Sequence, residues 1–171
     1  MITVRPERPE DVGAIRAINE AAFGQTVEAD IVDALRLACP DVLSLVALSD
    51  ETVVGHILFS PVQVEGGSRT IQGMGLAPMA VLPERQRQGI GSRRVEAGLW
   101  VLRKQECPFV IVLGHPGFYP RFGFVPASRY GLTCQWEGVP DAAFLVLFLD
   151  EPAVAGVVGI ARYRDEFEAA M

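Results

Sequence analysis

A chain of 171 residues, half of them apolar and 21% charged, holds enough hydrophobic mass for a folded core and excludes a disordered segment. The length predicts one domain over 1–171, and a net charge of −6 argues against nucleic acid or an anionic membrane as partner. No apolar run reaches the ~20 residues of a membrane span, and the N-terminus has no signal-peptide pattern. Cys39, Cys107 and Cys134 are odd in number and lack metal-ligand spacing, which predicts reduced thiols, no metal and a cytoplasmic location.

Ile2-Thr3-Val4-Arg5 reads as a first strand. Pro9-Glu10-Asp11 then opens a helix, with Pro early and acids in the first turn. Val12, Ile15, Ile18, Ala22 and Phe23 follow at helical spacing, and Gly24 ends the run. A second helix over 27–38 buries Val27, Ile31, Ala34, Leu35 and Ala38; its Glu28, Asp30 and Asp33 read either as a solvated face or as a surface for a cationic substrate. Strands are expected over 43–48 and 52–64, where Pro61 marks a bulge or an edge. Glu65-Gly66-Gly67-Ser68 is a hairpin turn returning the chain into a strand over 69–81, so three strands form an antiparallel meander.

Pro83 breaks that last strand, and a helix pattern opens at Gly89 and Ile90. Between them the chain reads V-x-P-x-x-Q-x-x-G-x-G, from Val81 through Pro83, Gln86, Gly89 and Gly91. Two glycines one residue apart let the backbone turn and let a ligand approach its amides. A helix beginning there offers unpaired N–H groups and about half a positive charge, a ready phosphate site. The glycine spacing is not a dinucleotide fingerprint, and no Gly-Lys-Ser/Thr follows. Arg85, Arg87, Arg93 and Arg94 crowd the turn, either as solvated charges or as phosphate contacts.

After that helix, Phe109-Val110-Ile111-Val112-Leu113 is an apolar run of the kind covered on both faces, so strand, helix and strand make a parallel crossover. Neighbouring parallel strands with a phosphate-holding turn between them leave a ligand cleft at their carboxyl ends. The segment from Gly114 to Phe124 follows, and strands over 144–149 and 157–163 close the chain. The whole predicts an α/β fold with a mixed, mostly antiparallel sheet of about six or seven strands flanked by helices, in which the strand ending at Val81 and the one over 109–113 run parallel and splay apart.

The Gln86–Ser92 stretch resembles the coenzyme A pyrophosphate loop of the GNAT superfamily of N-acetyltransferases. Phe118-Tyr119-Pro120-Arg121-Phe122-Gly123-Phe124 is similar to a second GNAT signature, F-Y-x-K/R-x-G-F, about 30 residues later, as in short stand-alone bacterial members. The resemblance implies a single acetyltransferase domain that binds acetyl-CoA as acyl donor. It places Met79, Ala80 and Val81 against the pantetheine arm, Gln86, Arg87, Gln88, Gly89, Ile90, Gly91 and Ser92 around the pyrophosphate, and the Tyr119 phenol near the thioester sulfur. It further implies transfer to an amine of a small molecule or peptide, by direct attack in a ternary complex. A non-catalytic CoA-binding sensor is the alternative, and a homodimer is compatible with either.

An Asn common in the family after the fifth strand is replaced here by Gly114 and His115. No Glu or Asp occurs over 75–81, where many members keep a carboxylate, so the general base is not specified. His115 reads as a base or a turn residue, His56 as a base or a core histidine, and Tyr119 as catalytic or as a buried aromatic. Neither the first two helices nor the loop from Gln135 to Asp141 holds a motif that names the acceptor.

Overall fold

The computed structural model describes residues 1–66 and 69–171, so Gly67 and Ser68 of the expected hairpin turn lie outside the described residues. Two compact units share the chain. The first comprises residues 1–59, 77–101 and 166–171, and the second residues 60–76 and 102–165.

In the first unit β1 (Ile2–Pro6) pairs antiparallel with β2 (Leu43–Ser49), which pairs antiparallel with the start of β3 (Thr52–Gly66). Helix α1 (Val12–Phe23) buries Ile15 and Ile18 on the expected stripe. Helix α2 (Val27–Ala38) buries Ile31 and Leu35 as expected but turns Ala34 and Ala38 outward and covers Ala29 and Val32 instead, so its buried face is rotated from the predicted one. Gly24 caps α1 in the left-handed region (φ 71°), the conformation glycine adopts without cost. The predicted helix start differs. Residues Pro9–Asp11 form a 3-10 turn, and Asp11 is buried there, accepting from the Arg8 amide at 2.8 Å and from Arg5 at 2.7 and 3.2 Å. The acids on α2 are engaged as well. Asp30 and Asp33 pair with Arg16 of α1 at 2.9 and 2.7 Å, while Glu28 accepts from Gln25. The two Arg16 pairs fasten one helix to the other, while the Gln25–Glu28 bond is local to the start of α2.

Helix α3 (Ile90–Lys104) lies close to the sheet because Gly98 has no side chain: an added Cβ would run into the Phe59 ring. Strand β4 (Arg69–Val81) ends in the first unit after beginning in the second.

In the second unit β4 pairs parallel with β5 (Phe109–Leu113), in the register Met74↔Val110, Gly75↔Ile111 and Leu76↔Val112. The ladder stops there, although β4 continues to Val81. β5 is buried from Phe109 to Val112, as its continuous apolar run predicts, and pairs antiparallel with β8 (Phe144–Phe148). Three short elements were not expected: β6 (Val125–Pro126), β7 (Leu132–Cys134) and α4 (Glu151–Val154). The described residues thus hold nine strands rather than six or seven. The last strand, β9 (Gly159–Arg162), starts later than expected, at a glycine with φ 132°, and pairs with both β3 and β7. Pro61 falls between the last β2 partner on β3, Phe59, and the first β9 partner, Gln63; a residue without an N–H suits that change of partner.

Candidate functional site

The motif residues of the first unit form a strand end, a tight turn and a helix start. The Leu82 amide donates to Val54 O at 3.0 Å, and the Arg85 amide to Leu82 O at 2.8 Å, closing a 3-10 turn over Pro83–Arg85. The Gln86 side chain folds back and donates to Val81 O at 3.2 Å, so the motif glutamine holds the end of β4. Arg87 and Gly89 are left-handed, at φ 65° and 77°, and residues 86–89 are exposed. α3 then begins at Ile90, whose side chain is buried with Ala47 and Val54. The first amides of any helix lack partners within it, and here they follow an exposed turn with two left-handed residues. Such a turn can hold a phosphate.

The four arginines divide. Arg85 and Arg87 form no ion pair with an acid among the described residues, and Arg93 donates to Ile2 O at 3.0 Å. Arg94 fits neither reading of the sequence. It is fully buried, and it donates from Nε to Ile90 O at 3.2 Å, and from Nη1 to His56 O at 2.5 Å and to Ala80 O.

His56 is buried in β3 inside a polar chain. The Asn19 amide donates to Nδ1 at 3.2 Å, which assigns the proton to Nε2, and Nε2 donates to Ser44 Oγ at 2.9 Å. Ser44 donates to Glu7 at 2.6 Å, and Arg36 grips the same carboxylate from Nε and Nη2 at 2.6 and 3.0 Å. Burial pushes the His56 pKa down to about 3, the Arg94 and Arg36 charges add to this, and Glu7 opposes it. The imidazole is therefore neutral near pH 7 with both nitrogens occupied. That is the arrangement of a core histidine.

In the second unit, Tyr119 opens a 3-10 turn over Tyr119–Phe122, which Gly123 ends at φ 99°. The Gly123 amide closes that turn on Pro120 O at 3.0 Å. The turn before it is closed by His115 O, which accepts from the Phe118 and Tyr119 amides at 3.0 and 3.4 Å, while the His115 residue itself is exposed. The Tyr119 ring is 7% exposed and packs edge-on against Phe118 and Phe124 at 5.0 and 5.7 Å between centroids. Gly114 makes room for it, since a Cβ there would be driven into the Tyr119 ring. The position where the family's Asn is missing is thus filled by the tyrosine itself. Tyr163 is buried nearby. Burial raises its pKa, with smaller contributions from Cys134 and Tyr119, and its amide donates to Gln135 at 2.6 Å. Gly75 lies under its ring, where a Cβ would approach Cε2 to 2.7 Å.

Sequence reasoning missed the roles of Gly114, Gly75 and Arg94. The two glycines carry no periodic signal, and an Arg next to another Arg at a helix start looks solvated. Among the described residues no group of three or more His, Cys, Asp or Glu side chains could hold a metal, and no helix is long and apolar enough to cross a membrane.

A family model described as an acetyltransferase (GNAT) domain matches residues 3–127. YhbS of Escherichia coli, named an uncharacterized N-acetyltransferase, is 38% identical over 165 residues, covering 96% of this chain and 97% of its own. Its crystal structure in complex with CoA superposes with a TM-score of 0.90 at 37% identity, covering 98% of this chain and 92% of that one. A GNAT family acetyltransferase from Brucella melitensis, in complex with acetyl-CoA, gives 0.77 at 36% identity over 98% of both chains.

Proposed function

The chain belongs to the GNAT acetyltransferase family, and we propose on that basis that it transfers an acetyl group from acetyl-CoA to an amine of a small molecule or peptide. The observation that carries the reading is the exposed turn over 86–89 leading into the first amides of α3, with Gln86, Gly89 and Gly91 at the motif spacing. The complexes of the E. coli and Brucella relatives with CoA and acetyl-CoA support the same donor. In this proposal Met79, Ala80 and Val81 meet the pantetheine arm, and Gln86, Arg87, Gln88, Gly89, Ile90, Gly91 and Ser92 meet the pyrophosphate.

The chemistry is direct. An ammonium of pKa ~10 gives its proton to solvent, and the free amine attacks the thioester carbonyl to form the C–N bond. As the C–S bond breaks, the nitrogen releases a second proton, which by way of solvent restores the phenol that protonates the thiolate. Holding both reactants together replaces a bimolecular encounter by a near-unimolecular step, which lowers the barrier by several kcal/mol. A backbone N–H of β4 would stabilise the carbonyl oxygen as charge develops. The leaving thiolate takes a proton from the Tyr119 phenol. Neutral His56, with both nitrogens engaged, is not the base in this scheme.

Release of free CoA thiol from acetyl-CoA across a panel of primary amines tests the proposal. Amine-dependent release supports it; tight CoA binding with no release above the buffer rate for any amine would favour a binding module instead.

A further inference from the structure

A buried guanidinium persists only where hydrogen bonds replace its lost hydration. Around Arg94 those bonds come from three separate pieces of backbone: Ile90 O in the first turn of α3, His56 O in β3, and Ala80 O in β4. Gly55 leaves the space the guanidinium fills, since a Cβ there would lie 3.0 Å from Nη1 and 3.3 Å from Cζ. One side chain therefore ties the helix that follows the phosphate turn to the strand that precedes it.

We propose that Arg94 is a positioning residue for the acyl donor, setting the Ala80–Val81 peptide so that the Val81 N–H meets the pantetheine arm. The inference rests on the acetyl-CoA reading given above. The C=O and N–H of a trans peptide point in opposite directions. A guanidinium that holds Ala80 O therefore turns the Val81 N–H away from itself and from His56 O of β3. The groups that follow are held too: Val81 O by the Gln86 side chain and the Leu82 amide by Val54 O. The Val81 N–H thus sits within a backbone stretch whose neighbouring groups are each tied down, the preorganisation that makes a strand-like contact with an extended ligand favourable. Nη1 serves His56 O and Ala80 O while Nε, held at a fixed distance in the same plane, serves Ile90 O; the single nitrogen of a lysine cannot keep both ends of that arrangement.

The test is calorimetric titration of the parent and Arg94→Lys with CoA and, separately, with 3′,5′-ADP, the nucleotide half that lacks pantetheine. The variant is expected to bind CoA about tenfold more weakly, the effect of losing one well-placed hydrogen bond from the Val81 N–H to the pantetheine arm, and 3′,5′-ADP within about twofold of the parent. Unchanged CoA affinity in a cooperatively melting variant overturns the proposal. Equal losses for the two ligands overturn it as well, because Arg94 would then only anchor α3. Should Arg94→Lys not fold, Gly55→Ala keeps the charge and crowds Nη1, and is expected to show the same split at smaller size; equal losses there count against the proposal. A parent that binds neither ligand sinks the acetyl-CoA reading itself and is distinguishable from these results.

Discussion

Tyr119 is placed by its neighbours, and the hydroxyl is the only part of it that the proposed chemistry needs. Tyr119→Phe keeps the edge-on packing against Phe118 and Phe124, so kcat is expected to fall by about 10²–10⁴-fold while the acetyl-CoA dissociation constant stays nearly constant. Turnover within twofold of the parent would remove the phenol from the mechanism. Gly114→Ala moves the ring by steric pressure and is expected to lower kcat in the parent, yet to add little in a Tyr119→Phe background. Equal losses in both backgrounds would mean that Gly114 serves the fold alone. His56 makes a prediction about pH. Its folded pKa of about 3 lies below the ordinary imidazole value of 6.5, so the unfolded chain binds the proton more readily between those values. The stability it contributes is whole above pH 6.5 and is lost as pH falls towards 3, at about 1.4 kcal/mol per unit in the middle of that window. The groups facing it are Asn19, Ser44 and, through Ser44, Glu7, with the Arg94 and Arg36 charges disfavouring protonation. Denaturant melts at pH 7 and 5 should show a drop of about 2 kcal/mol from this residue, and His56→Gln should flatten it. Glu7 adds to the loss only at lower pH: burial raises its pKa, but Arg36 and Ser44 hold it below 4.5 overall.

At the scale of elements, the turn between β4 and α3 is the unit that the proposal depends on. Gly89 has φ 77°, and nothing lies within 4 Å of where its Cβ would be, so a side chain there strains the backbone and projects into the space left for a ligand. Gly89→Val is expected to abolish the thermal shift with acetyl-CoA in a folded protein. A full shift in that variant would refute the loop assignment. The strands and helices were legible where periodicity was long. The α1 stripe at Ile15 and Ile18, the three long strands and the buried run over 109–113 stand where the pattern put them, because burial on a face imposes the spacing. In α2 small alanines blur the signal, and Ala29 and Val32 are covered where Ala34 and Ala38 were expected. β6 and β7, two and three residues long, have no room for a period. The helix start at Pro9 was misread because Asp11 serves Arg5 and the Arg8 amide, a partner choice that spacing does not encode.

For the molecule as a whole, binding free energy becomes stability. If acetyl-CoA binds the native state alone, a concentration one hundred times its dissociation constant adds ~2.7 kcal/mol, and a chain of this size should melt roughly 5–10 °C higher. No shift at millimolar acetyl-CoA would contradict the proposed donor. By itself the sequence determined the order and kind of the long elements, the turn at Gln86–Ser92 and the aromatic segment at Tyr119, because hydrophobic period and glycine spacing are local properties of a chain. Only the tertiary structure decided which polar groups are buried against which. Arg94 reads as one more surface charge until β3 and β4 bring two carbonyls to it, and His56 reads as a candidate base until Asn19 and Ser44 occupy both its nitrogens. Gly114 reads as a missing Asn until the Tyr119 ring fills the space beside it. Each of these depends on partners between 5 and 38 residues away, and a hydrogen bond or a van der Waals contact over that separation exists only once the chain has closed on itself.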